Sequence, residues 1–292
     1  MSLIHGIEEL SARQRAQVGG KALALAQMLQ AGLTVPPALV VTADTYRRYL
    51  GDTGLGERLL LELNRKRFED LRWEELWDAA LRIRNMFLTT PLSPAIRAQL
   101  LREGLGNWGD SPVAVRSSAL DEDASGSSFA GLHESYVNVS GVDSILDHVR
   151  LVWASLWSDA ALLYRQELGL DVSTSAMAVL VQQLVAGERS GVAFCVDPTD
   201  NERALVEAVH GLNQGLVDGT VEPDRWVLDR ATGAVPAHRA AERTESVGPS
   251  ATGVGLAPLE QELRVRPPLS ETEAQAVLAL ARRCEELFGS PQ

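Results

Sequence analysis

Cysteine is almost missing from this sequence. Cys195 and Cys284 are the only two in 292 residues, far apart and without metal-type spacing. That excludes a disulfide framework and a thiolate metal site, and both read as core filler. Long apolar runs are missing too: none approaches the roughly 18 to 20 residues that span a bilayer. The opening Met1-Ser2-Leu3-Ile4-His5 has no basic stretch followed by an apolar one, so no signal segment is expected and the chain reads as cytoplasmic. Positive charge is in deficit, with 27 Lys plus Arg against 39 Asp plus Glu and a formal net charge of −12. Such a surface repels nucleic acid and anionic membranes, so a polyanionic ligand needs a local basic pocket. The hydrophobic share of 45% and the charged share of 23% are those of an ordinary soluble enzyme or binding domain, long enough for one large domain or two lobes.

Several catalytic signatures are also lacking. There is no Gly-x-x-x-x-Gly-Lys-Ser/Thr loop, and Gly253-Val254-Gly255 has neither the third glycine nor the preceding strand of a dinucleotide fingerprint. No His pair has metal spacing, and Gly126-Ser127-Ser128-Phe129 follows an acidic loop instead of joining a strand to a helix. P-loop, Rossmann, metalloprotease and serine hydrolase readings are thereby excluded.

What is present alternates helical and extended patterns, an α+β (mixed α/β) arrangement. Leu25, Met28 and Leu29 recur at helical spacing up to a cap at Gly32. Val35-Pro36-Pro37 forces an extended run into Leu39-Val40-Val41, after which Thr42 caps a short helix. Trp73 to Phe87 carries an apolar stripe, and Pro94 opens another helix. Val113-Ala114-Val115 is a buried strand running into a small-residue, acidic loop, Ala119 to Ala130. Tyr136 to Val139 alternates as a strand, and Ser144 to Glu167 reads as one long helix. Ala176 to Val185 and Gly191 to Val196 are β-rich and spaced as a hairpin. Further strands are expected at Ala204 to Val209 and Asp224 to Leu228, irregular surface structure over about Thr232 to Pro268, and a last helix behind the capping box Ser270-Glu271-Thr272-Glu273.

The chemistry-bearing candidates suit a triphosphate. Gly19-Gly20-Lys21 at a helix start offers free N–H groups and a cation, although a plain turn and a solvated lysine have the same pattern. Arg116, leaving an apolar strand, must be neutralised, either by phosphate oxygens that fit its planar fork or by Asp121, Glu122 or Asp123. Ser125 to Gly131 is small enough for close backbone approach to a phosphate chain, as a lid or as a simple linker, and Ser135 could add a hydroxyl. Gln182 and Gln183 interrupt an apolar strand; one faces outward and the other needs a partner, which a ligand could supply.

These pieces, in order, resemble the nucleotide-binding domain shared by phosphoenolpyruvate synthase, pyruvate phosphate dikinase and rifampin phosphotransferase. The resemblance rests on Val18-Gly19-Gly20-Lys21 with Gly32-Leu33-Thr34-Val35-Pro36-Pro37. Its most specific part is Val113 to Ala119 followed by Ser128-Phe129-Ala130-Gly131. Trp153-Ala154-Ser155-Leu156-Trp157, Tyr164-Arg165, Val181-Gln182, Ser190 to Phe194 with Asp197-Pro198, and Pro223-Asp224-Arg225 continue it. The resemblance implies an ATP-grasp-like, two-lobed fold: residues 1–110 a helix-rich N-terminal lobe with an inserted helical segment, residues 111–292 the phosphate loop and C-terminal lobe. It makes Lys21 and Arg116 cations on the ATP phosphates, Gly131 and Ser135 part of the phosphate-loop region, Gln182 a pocket side chain, and Leu184 and Val185 the adenine slot. It implies ATP and Mg²⁺ as cofactors. The implied chemistry is dikinase phosphotransfer of the pyruvate–water or pyruvate–phosphate type, splitting ATP to AMP through a phosphohistidine on a separate domain.

Two departures stand out. Gly211-Leu212-Asn213-Gln214-Gly215 replaces the family's Gly-Leu-Gly-Glu, removing a glycine and an acidic group. Leu287 to Gln292 resembles the run into an Asp-Ile-Glu-Trp motif, whose glutamate, with a later Gln-x-Arg, completes the metal and phosphate site. The resemblance thus implies that these ligands, the phosphohistidine domain and the pyruvate-binding domain lie outside this chain, which alone would be nearly inactive.

Overall fold

The run Met177-Ala178-Val179-Leu180-Val181 has no polar residue, and a strand without alternation must be covered on both faces. In the computed structural model, which describes residues 2–120, 131–251 and 253–292, it is the central strand of a five-stranded sheet. The chain divides into two compact units, Met1–Leu184 and Val185–Gln292.

The first unit contains β1 (Ile4–Gly6), α1 (Arg15–Gln30), β2 (Ala38–Val41), α2 (Ala43–Asp52), α3 (Leu55–Leu63), α4 (Trp73–Thr89) and α5 (Pro94–Arg102). It continues through β3 (Val113–Ala119), β4 (Ser135–Val139), α6 (Val142–Ser155), α7 (Asp159–Glu167) and β5 (Met177–Gln183). The strands are ordered β1-β2-β5-β3-β4 and every pair is antiparallel. One sheet face is covered by α1, where Val18, Ala22, Leu23 and Ala26 pack with Ala38, Val40, Ala178 and Leu180. The other carries the larger core, in which Tyr46, Tyr49, Phe87 and Trp153 cluster with the helical layer. Local signals work as expected at Thr42 and Ser93, whose hydroxyls accept from Thr45 N and Ile96 N and cap α2 and α5.

The second unit holds β6 (Arg189–Phe194), β7 (Arg203–His210), α8 (Gln214–Val217), β8 (Asp224–Asp229), β9 (Ala237–Arg239), β10 (Glu245–Ser250), β11 (Gly253–Pro258), α9 (Gln261–Val265) and α10 (Glu271–Phe288). Strands β6-β7-β8-β9 form an antiparallel sheet and β10–β11 a separate pair. Ala274 and Leu278 of α10 pack on Ala204, Val206, Ala208, Trp226 and Leu228. The capping box is present, with Ser270 Oγ accepting from Glu273 N and the Glu273 carboxylate accepting from Ser270 N at 2.8 Å.

Three expectations need correction. The hairpin of Ala176–Val185 with Gly191–Val196 does not form, because β5 is paired on both edges by β2 and β3, and β6 pairs with β7. The two compact units part between Leu184 and Val185, since β3 and β4 belong to the sheet that β5 centres. The long helix from Ser144 to Glu167 is two, since Ser158 leaves helical geometry to cap α7 at Ala161 N. The stretch expected to be irregular, Thr232 to Pro268, contains β9, β10, β11 and α9. These are mostly exposed, so they carry no apolar alternation to read.

Candidate functional site

The start of α1 is shaped by Gly19. Its φ of +76° and ψ of 174° interrupt the helix, a conformation open essentially to glycine alone. A Cβ there would lie 2.3 Å from the carbonyl oxygen of Ser118. The close approach lets the Ser118 hydroxyl donate to Val18 O (2.7 Å) and accept from Ala22 N (3.2 Å). The turn bearing Lys21, which is partly buried, is thereby tied to β3 two residues along from Arg116.

Strand pairing brings most of the other candidates to this face. Directly paired residues of antiparallel strands project to the same side. Ser135 is opposite Arg116, Arg116 opposite Leu180, and Gln182 opposite both Ala114 and Ala38. Leu180 and Ala38 pack under α1, so Arg116, Ser118, Ser135 and Gln182 share the α1 side. Arg116 and Ser135 are exposed, and Arg116 carries no ion pair among the described residues. Of the two glutamines Gln182 is the buried one, its Nε2 donating to Pro36 O at 3.3 Å, and Gln183 is exposed. Gly131 is exposed at the beginning of the described segment after residue 130. Leu184 closes the first unit, its N–H donating to Pro112 O at 3.0 Å, and Val185 opens the second, 61% exposed. The expected lid, Ala119 to Ala130, falls outside the described residues from Asp121 on, as do the alternative partners of Arg116, Asp121, Glu122 and Asp123.

His133 was not singled out by spacing or composition. Its Nδ1 lies 3.4 Å from Ser155 O. Burial first, then the charges of Arg165 and Lys21, push its pKa down to about 4 against the opposing Ser155 carbonyl, so the ring is neutral at pH 7. The only sequence signal was its place two residues after Gly131.

Other motif positions support the fold. Buried Arg165 donates to Leu156 O (2.8 Å) and Ala161 O (3.2 Å), and Trp157 Nε1 donates to the Tyr46 hydroxyl at 2.9 Å. In the second unit the fully buried Asp224 carboxylate accepts from Arg243 Nε at 2.7 Å and from His238 Nε2 at 2.7 Å, while His238 stacks on Trp226 at 4.5 Å. Arg225 Nε donates to Glu207 Oε1 at 2.7 Å. A Cβ on Gly211 would meet Val247 O at 2.4 Å, so the turn before α8 is confined to glycine there. At the following departure, Asn213 Oδ1 is buried and has no hydrogen-bond partner among the described residues.

Two cations, a hydroxyl and an amide on one sheet side fit the phosphates and polar edge of a nucleotide. They supply no carboxylate cluster, and no group of three or more His, Cys, Asp or Glu among the described residues could hold a metal ion. No helix among them is long and apolar enough to cross a membrane.

Comparison with known proteins decides the family. Residues 15–292 match the family described as "Pyruvate phosphate dikinase, AMP/ATP-binding domain". The chain belongs to that family. It is 34% identical to "Probable phosphoenolpyruvate synthase" of Methanothermobacter thermautotrophicus, over 98% of this chain and 42% of the relative. With "Phosphoenolpyruvate synthase" of Aeropyrum pernix the identity is 38%, over 78% of this chain and 29% of the relative. With "Rifampicin phosphotransferase" of Streptomyces sp it is 36%, over 99% of this chain and 34% of the relative. This pyruvate phosphate dikinase AMP/ATP-binding domain thus spans less than half the length of each of these curated relatives.

Proposed function

We propose that this ATP-binding domain, with an ATP-grasp-like fold, activates ATP for phosphotransfer, with Arg116 and Lys21 as the cations on the phosphates. Ser135 and Gly131 contact the phosphate chain, Gln182 lines the pocket, and Leu184 and Val185 flank the adenine. The observation that carries the reading is the register that aligns Ser135, Arg116 and Gln182 on the α1 side, beside the glycine-shaped turn of Lys21. Fixed cations there stabilise charge developing on a transferring phosphoryl group without reorganising at the moment of reaction. The reaction is splitting of ATP to AMP, with the β-phosphoryl passing to a histidine on a separate domain for transfer to pyruvate and the γ-phosphoryl passing to water or inorganic phosphate. Magnesium accompanies ATP in this reading and would supply charge neutralisation at its phosphates. The relatives' names leave rifampicin as the alternative acceptor.

A second reading, a nucleotide sensor without turnover, is favoured by the departure at Asn213 and Gln214, which stand in place of a glycine and an acid, with the Asn213 side-chain Oδ1 buried and without a hydrogen-bond partner among the described residues.

Calorimetry with ATP tests the site. Arg116→Ala should weaken ATP binding by about ten- to a hundred-fold, the worth of a charge-assisted hydrogen bond, with the melting temperature unchanged; Lys21→Ala should act in the same direction. Unfolding of the Arg116 variant, or wild-type affinity in both, would overturn the reading. AMP release with a histidine-bearing partner domain separates the enzyme from the sensor, which binds and does not turn over.

A further inference from the structure

We propose that Arg84 is a positioning residue for the triphosphate: through the Glu134 carboxylate it sets the segment that presents Ser135 to the nucleotide side of the sheet. This rests on the ATP reading above and adds a residue that neither motif nor spacing assigns to it.

The geometry follows from strand alternation. Ser135 pairs with Arg116 on the α1 side, so its neighbours turn toward the opposite, helical layer. There Glu134 is gripped by Arg84 of α4, with Nη1 to Oε1 at 2.5 Å and Nη2 to Oε2 at 3.3 Å. The Tyr136 hydroxyl donates to the same carboxylate. Burial and that carboxylate push the Tyr136 pKa up to about 12, which keeps the donor protonated. The Tyr136 ring also meets His148 of α6 edge-on at 4.7 Å. On the other side Leu132 O accepts from Ser158 Oγ at 3.4 Å, and His133 Nδ1 lies beside Ser155 O. Residues 132, 133, 134 and 136 are each tied to α4, α6 or the start of α7, and Ser135 alone of the five is exposed.

Arg84 itself stands on a rigid base, because Ile83 and Phe87 beside it on α4 are in the core. Both members of the ion pair keep about 38% side-chain exposure, and pairs that wet contribute little to stability. A two-pronged grip on one side of a strand does, however, fix orientation, and small displacements of a contact residue weaken a preorganised site strongly.

The test uses the whole chain and two probes, ATP and adenosine, the latter measured by competition. Arg84→Met should weaken ATP binding about ten-fold and leave adenosine affinity and the melting temperature near wild type. Arg84→Lys should recover part of the loss, and Arg84→Met combined with Glu134→Ala should be no worse than either alone, the mark of two residues acting as one unit. Should Arg84→Met unfold, Glu134→Ala alone carries the same expectation. ATP affinity unchanged in these variants while wild type binds ATP would overturn the positioning role and leave the ATP reading standing. Equal losses for ATP and adenosine would overturn it as well, since the grip acts at the phosphate end. A wild-type chain that binds no ATP would sink both.

Discussion

Gly19→Ala is the substitution for which the structure makes the sharpest demand. The backbone at φ +76° and ψ 174° is a region that costs a residue with a Cβ about 1–3 kcal/mol. The added methyl would also sit 2.3 Å from Ser118 O and 2.6 Å from Ser118 Oγ. β3 is held between β4 and β5 and cannot retreat, so the turn must move off the strand. Doing so breaks the Ser118 bonds to Val18 O and Ala22 N, and buried groups left without partners cost about 1–3 kcal/mol. The two contributions together come to about 4 kcal/mol. For a unit of this size that lowers the melting temperature by about 10 °C. Thermal unfolding followed by circular dichroism measures it, with Ser118→Ala as the companion: it removes the hydroxyl and keeps the glycine, and should cost about 1–2 kcal/mol. ATP affinity should fall in the glycine variant, because Lys21 follows two residues later. A Gly19→Ala protein melting within about 2 °C of wild type would refute the reasoning, showing that the turn can adopt another path at little cost.

Two further perturbations probe other parts of the molecule. Asp224→Asn leaves Arg243 facing a neutral side chain in a site where the carboxylate is fully buried, and should destabilise the second unit by about 3–5 kcal/mol. Urea unfolding followed by hydrogen exchange at β8 measures this, and a loss below about 1 kcal/mol would count against the ion network as a structural element. His133 predicts a pH dependence. Its folded pKa of about 4 lies below the ordinary 6.5, so between those values the unfolded chain binds the extra proton and folding weakens as the pH falls. The loss reaches about 3 kcal/mol near pH 4. In the His133→Gln protein that component should vanish from stability measured between pH 7 and 4, and an unchanged pH profile would show that the ring is not held neutral by burial, Arg165 and Lys21.

How much was legible beforehand depends on the range of the interaction. Thr42, Ser93 and the Ser270–Glu273 box could be read directly because a cap is satisfied within three residues. Ser158 shows the limit of that reading: apolar periodicity continues across it, and its cap, which is equally local, is what divides α6 from α7. β5 was recognised as a strand by its composition, yet its partners were not, since a strand buried on both faces says only that it has neighbours and not which.

By itself, the sequence determined the mixture of helices and strands, the caps, the two basic candidates and the family pattern, all of which are matters of residue type and short spacing. Only the tertiary structure decided that β5 joins β2 and β3, and hence that the units divide after Leu184. Pairing set which candidates share a face, placing Ser135 opposite Arg116 and Gln182 opposite Ala114. It also joined Arg84 to Glu134, 50 residues apart, and brought Lys21 into electrostatic reach of His133. The physical reason is that sheet register and side-chain salt bridges depend on contacts between distant segments, whose energies are settled by burial after the chain has folded and leave no periodic trace in the residues that make them.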